Sequence, residues 1–154
     1  MNILKDKKGE SYIYLCVIVI FISMLVSVLI LYMGLTAQVQ AQKRDTKAKL
    51  DGFISDYSVE IFNSLKQGQY FAEYIDWGEL EAGAMRAVGF PNNTDTEYIY
   101  KNGVRMERPE IVTLSGNGFG VKISYTACFP IEWNGTRYAD LRIPMTVTSY
   151  YKFK

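Results

Sequence analysis

Side chains able to perform chemistry are sparse in this sequence, and the most versatile of them is missing: the 154 residues include no histidine. That removes the commonest general base, the usual activator of a nucleophile and the commonest metal ligand together. Two cysteines remain. Cys16 falls inside an apolar run and Cys128 far downstream in a strand-like stretch, so the two are not expected to meet. Neither a disulfide framework nor a thiolate metal site is expected. This cysteine usage fits the cytosol, and it fits equally an exported protein of a bacterium that uses few disulfides. Glu79 and Glu81 lie near the start of an expected helix, where acids favour the helix dipole without any catalytic role. The run Gly116-Asn117-Gly118-Phe119-Gly120 imitates a phosphate loop, but it lies between strands and no lysine follows in the position such a loop needs, so it reads as a turn. Asn92-Asn93-Thr94 and Asn134-Gly135-Thr136 match the glycan acceptor pattern, and each also sits where a turn needs asparagine. The expectation is a protein that is not an enzyme, with no metal, no cofactor and no small-molecule substrate.

The element that organises the chain is YIYLCVIVIFISMLVSVLILYMGL, residues 12–35, which carries no charge. At about 1.5 Å rise per residue it makes a helix roughly 36 Å long, enough to cross a hydrocarbon core of about 30 Å with some tilt. A buried helix of a soluble protein seldom runs this long without a polar face. A cleaved secretory signal is the competing reading, with Val39-Gln40-Ala41 as a cut site, but the apolar run of a signal is usually only about 7–15 residues. The expected organisation is a cytoplasmic tail over residues 1–11, a transmembrane helix over 12–35 and an extracytoplasmic α+β domain over 36–154. The chain beyond the span suffices for one compact domain of roughly 110 residues.

Lysine plus arginine number 17 against 16 acids. Setting aside Lys5, Lys7, Lys8, Asp6 and Glu10 in the tail leaves equal numbers of each sign. A neutral domain has no field to gather nucleic acid or anionic lipid, so nucleic acid is not an expected partner. Basic residues flank the span on both sides, with Lys43, Arg44, Lys47 and Lys49 after it, so charge alone does not orient it. A short tail before an uninterrupted apolar run behaves as a signal anchor, and a long domain after it translocates largely regardless of flanking charge. The N-terminus is therefore expected inside and the domain outside. Ser23 and Ser27, four apart in the span, offer a face for close approach of another helix.

The segment TAQVQAQKRDTKAKL that follows Leu35 contains no proline or glycine, so the helix is expected to continue, from about Glu10 to Lys66, with Gly68 as its stop. Beyond the span Leu50, Phe53, Ile54, Tyr57, Ile61 and Leu65 form one apolar stripe, with Asp51, Ser55, Asp56, Glu60 and Ser64 off it. Asp76-Trp77-Gly78-Glu79 has the spacing of a capping box and announces a second helix through Leu80, Ala84 and Val88 to Gly89, with Trp77 a packing residue. From Glu97 the period becomes two. Tyr98-Ile99-Tyr100, Asn102-Gly103 and Val104 to Glu107 spell a hairpin. Ile111 to Leu114 is a further strand, Val121 to Phe129 alternates in and out, Asn134-Gly135 turns the chain, and Leu141, Ile143, Met145 and Val147 return. Pro144 cannot donate to a ladder and marks an edge or a bulge. The expected fold is α+β: a long N-terminal helix packed on an antiparallel sheet of four to five strands, with one short extra helix.

Lys7-Lys8-Gly9-Glu10-Ser11-Tyr12-Ile13-Tyr14 runs basic residues, a glycine and a polar step into that long helix, which then enters a sheet domain. This plan resembles type IV pilin-like proteins, and more narrowly the TadE-like minor pilins of tight-adherence (Tad) systems. The ending GVKISYTACFPIEWNGTRYADLRIPMTVTSYYKFK is similar to that group as well. The resemblance implies a pilin-like fold, the Gly9–Glu10 bond as the cut for a prepilin-type peptidase, and a minor pilin or pseudopilin that helps assemble a Tad-type pilus or secretion filament. Its implied partners are the lipid bilayer, other pilin-like subunits and the assembly machinery. The family places an acid five residues past the cut; here Tyr14 stands there, and Glu10 is acidic at the first position instead. The alternative from another class is a solitary single-pass protein whose outer domain binds envelope components and does not polymerise.

Overall fold

A computed structural model describes residues 7–65, 75–91, 95–133 and 135–152 of the chain, the side chains of residues 7–11, 64 and 65 excepted. The architecture is α+β, with a long N-terminal helix, a short helix and an antiparallel sheet of five strands. The chain divides into two compact units, Met1–Gln40 and Ala41–Lys154. The long helix, α1, spans Lys7–Leu65 and so begins slightly before the expected Glu10. The expected stop at Gly68 and the Asn92-Asn93-Thr94 acceptor lie outside the described residues.

In the second unit α1 buries one stripe. Leu50, Ile54, Tyr57 and Ile61 are buried, while Asp51, Ser55, Asp56 and Glu60 are exposed. Burying each large apolar side chain contributes about 1.5–3 kcal/mol relative to leaving it in water. The stripe continues toward the N-terminus through two polar residues, Thr46 and Gln42, at the same four-residue step, and both are buried. The second helix, α2, spans Trp77–Val88. Asp76 caps it, its Oδ1 accepting from the N–H groups of Gly78 at 2.9 Å and Glu79 at 3.1 Å. Gly89 closes it at φ 102°, a left-handed conformation that glycine adopts without penalty. Leu80, Ala84 and Val88 are buried as expected, and Trp77 keeps 36% of its surface exposed. A side chain at Gly83 would collide with the Phe53 ring, so the missing Cβ lets α2 lie against α1.

The strands are β1 Tyr98–Lys101, β2 Val104–Glu107, β3 Glu110–Gly116, β4 Gly118–Trp133 and β5 Thr136–Lys152. β1 and β2 form the expected hairpin, with Asn102 at φ 52° and Gly103 at φ 78° in the left-handed turn that such two-residue loops require. β4 is the shared strand. Along one edge it pairs with β3 from Gly118 to Ser124 and with β2 at Ala127 and Cys128, and along the other with β5 over its whole length. β4 and β5 outrun the expected segments because their ladder continues from Trp133↔Thr136 down to Gly118↔Lys152.

The register shifts once, between Ile131 and Glu132, where Tyr138 is the extra residue. The bulge thus falls there and not at Pro144, which pairs regularly with Thr126. Among the described residues nothing pairs with the outer edge of β5, so Pro144 is an edge proline. The ladder runs unbroken through it, so its ring points away from β4.

One sheet face is the core. Phe119, Val121, Ile123, Tyr125, Ala127 and Phe129 of β4 and Met145 and Val147 of β5 are buried. The α1 stripe lies over them: the Tyr57 and Phe119 rings meet edge to face at 5.6 Å, and Thr46 reaches the Tyr125 hydroxyl. Replacing Ile54, 3% exposed, with aspartate puts a charge into this layer. The Ile54→Asp chain is expected to lose about 3 kcal/mol or more in urea denaturation of the full-length protein in detergent, whereas Ser55→Asp, on the exposed side, changes by less than about 0.5 kcal/mol.

Candidate functional site

Among its described residues the first unit offers a surface and no reactive constellation. From Tyr12 to Met33 the large apolar side chains, the half-buried Leu31 aside, are between 47% and 72% exposed. Among the described residues one helix, Tyr12–Asn63, is long and apolar enough to cross a membrane by length and composition. Two of its hydroxyls bond back within it: Ser23 donates to the Val19 carbonyl at 2.7 Å and Thr36 to the Tyr32 carbonyl at 2.9 Å, the bonding that makes serine and threonine tolerable in lipid. Gly9 and Glu10 stand in the first turns of α1, with their side chains outside the described residues.

In the second unit polar groups tie α1 to the sheet at three levels. Gln42 Nε2 donates to the Met106 sulfur at 2.9 Å. Thr46 Oγ1 donates to the Gln42 carbonyl at 3.0 Å, so at its 2.9 Å contact with Tyr125 the tyrosine hydroxyl is the donor. Burial pushes the Tyr125 phenol up, and the hydrogen bond with Thr46 partly offsets that. Further along, Ser149 Oγ donates to Asp51 Oδ1 at 2.6 Å. Beside Thr46 sits a charged group: Asp45 forms an ion pair with Lys101 from the β1–β2 hairpin and a looser one, 3.7 Å, with Lys49. The hydrogen bond from Lys101 holds the Asp45 carboxyl below its ordinary value, against some desolvation. For Lys101 burial acts downward, yet its bonds to the Asp45 cluster win and its pKa is raised.

The opposite face of the sheet is open, and it carries the second cluster. Arg105, Cys128 and Arg142 stand in one cross-strand row. Cys128 is 1% exposed on this open face because Arg105 and Arg142 cover it while both guanidiniums pair with Glu107. Arg105 Nη2 lies 3.7 Å from the sulfur, and its guanidinium lies 5.7 Å from the centre of the Tyr98 ring. The thiol donates to Glu107 Oε1 at 3.9 Å, but with 1% of its surface exposed it offers a substrate no approach, and it stands here as a packing group.

None of the sequence motifs weighed for chemistry joins these clusters. Glu79 is in the first turn of α2 with Glu81 just after it, Gly116 to Gly118 make the β3–β4 turn, and Gly135 makes the β4–β5 turn at φ 76°. A Cβ at Gly118 would collide with the Tyr151 carbonyl, and one at Gly120 with the Ser149 carbonyl. The glycine run is thus needed where β4 passes close to β5. Among the described residues no group of three or more histidine, cysteine, aspartate or glutamate side chains could hold a metal. Both cysteines are free. No family model, curated protein or solved structure matches the chain.

The Asp45–Lys101 pair makes stability depend on pH with a definite sign. Asp45 is lowered on folding, so its contribution is complete above the unfolded aspartate value and is lost as pH falls through the folded one. Lys101 is raised, so its contribution is complete below the unfolded lysine value and is lost as pH rises through the folded one. Melting curves of the full-length chain and of Lys101→Met are expected to differ most near neutral pH, and to converge as the buffer is taken below the ordinary aspartate range. A gap that stays constant into acid would show that the pair is not coupled to folding.

Proposed function

We propose that this protein is a membrane-anchored structural subunit, a TadE-like minor pilin or pseudopilin that contributes to assembly of a Tad-type pilus or secretion filament. One observation carries the reading: a single helix presents two surfaces in succession, apolar on all sides over residues 12–33 and then a one-sided stripe that forms the core of an α+β domain. A helix apolar all round is at home in lipid or among other such helices. The stripe commits the remainder of the helix to its own sheet, so the same helix that anchors also carries the domain. On this reading the apolar segments associate laterally, the open sheet face is presented outward, the N-terminus is cytoplasmic and the domain extracytoplasmic.

The clusters on the sheet are consistent with a structural role, since each is a tie between elements. A solitary single-pass protein remains the second reading, and Tyr14 favours it, because the family's acid at the fifth position past the cut helps subunits pack and a tyrosine offers no carboxylate.

Processing separates the two. Coexpressed with a prepilin-type peptidase, the protein is expected to lose Met1 to Gly9 in intact-mass measurement, leaving an amino group on Glu10, and Gly9→Ala is expected to abolish the loss. Retention of the intact N-terminus in both, with the protein resisting alkaline extraction from membranes, would favour the solitary anchor.

A further inference from the structure

The β4–β5 hairpin projects from the domain as a two-stranded ribbon. β2 pairs with β4 no further than Cys128, and beyond the buried Phe129 the described residues of β4 and β5 pair only with each other, out to Trp133↔Thr136. A two-stranded ribbon is marginal in water unless something packs on it. This one instead exposes large apolar side chains at its end: Trp133 is 48% exposed, Tyr138 68% and Leu141 37%. Tyr138 is the extra residue of the bulge, and such a residue is turned out of the regular ladder and increases the local twist. Arg137 lies beside it, paired with Asp140.

The direction of the ribbon follows from contacts inside the domain. Tyr57 touches Phe119, Asp51 binds Ser149, which is opposite Val121, Thr46 meets Tyr125, and Gln42 meets Met106, which is opposite Ala127. As residue numbers fall along α1 they rise along β4. The strand therefore runs toward the end at which the chain enters the domain, and Trp133 lies about 20 Å beyond Ala127 at about 3.4 Å per residue. The residues between Leu35 and Gln42 span at most about 25 Å even when fully extended. If residues 12–35 cross a bilayer, the entry end of the domain is held that close to its surface.

We infer that the β4–β5 hairpin tip, through Trp133 and Tyr138 with Leu141 behind them, is a second membrane contact that seats in the lipid headgroup region. Tryptophan and tyrosine favour that region because each has an apolar body and a polar edge. Arginine at the tip suits lipid phosphates. The inference rests on the anchoring part of the proposed function and is independent of whether the protein polymerises.

The chain has two tryptophans, and the fold supplies its own control. Trp77 adjoins Asp76, whose carbonyl accepts from the Tyr57 hydroxyl at 3.4 Å, at the far end of the domain. Full-length Trp77→Phe, with Trp133 as its sole tryptophan, is reconstituted into phosphatidylcholine vesicles containing lipid brominated near the headgroup end of the acyl chain. Its emission is expected to shift to the blue and to fall by on the order of half, as for an interfacial indole. Trp133→Phe, reporting only Trp77, is expected to remain unquenched. Flotation after alkaline extraction is read on the same samples. A protein that floats while Trp133 emits as in water and is not quenched overturns the hairpin contact and leaves the anchor standing. A protein that does not float overturns the anchor and the hairpin contact with it.

Discussion

The fold depends on the burial of one face of β4. That strand alone touches β2, β3 and β5, and its buried residues Phe119, Val121, Ile123, Tyr125, Ala127 and Phe129 supply the floor on which α1 lies. Remove the helix stripe and six consecutive inward positions face water; remove the strand and three other strands lose their only common neighbour. Because side chains alternate along a strand, a slip of one residue would exchange this face for Lys122, Ser124, Thr126 and Cys128. The buried hydrogen bonds at Thr46 and Tyr125 raise the cost of such a slip, since a displaced tyrosine hydroxyl would lose its partner in an apolar layer.

Much of this was legible in the residues. The capping aspartate, the closing glycine and the apolar spacing of α2 each act locally, so Asp76, Gly89 and Leu80, Ala84 and Val88 could be placed without knowing the rest. The same holds for Asn102-Gly103, whose left-handed turn needs only those two residues. The stripe on α1 was legible only where it was apolar. Gln42 and Thr46 continue it, but polar residues at helical spacing look solvated until a tyrosine and a methionine from distant strands are known to receive them. The roof over Cys128 is of the same kind: Arg105, Glu107 and Arg142 come from two strands, and no local pattern joins them.

The bulge is an instructive intermediate case. Counting back from the terminal pair Trp133↔Thr136 puts odd residues of β4 opposite even residues of β5, yet the apolar alternation in both strands falls on odd numbers. The two requirements conflict unless one strand carries an extra residue. Tyr138 is that residue, and Phe129↔Leu141 restores apolar opposite apolar. The sequence therefore contains the need for a bulge, while its position within the hairpin is set by twist and packing.

Pro144 has a consequence for the molecule among its own copies. The outer edge of β5 is a row of backbone donors and acceptors 17 residues long, and such a row is a template onto which any other extended chain can zip. With its ring directed outward, the proline removes a donor at the midpoint and places carbon where an incoming carbonyl would go. Either side of it there are two stretches of eight residues or fewer, the first broken further by Arg137, Asp140 and Arg142. The domain can therefore carry a long strand at its margin and still be held at high local concentration without fusing sheet to sheet.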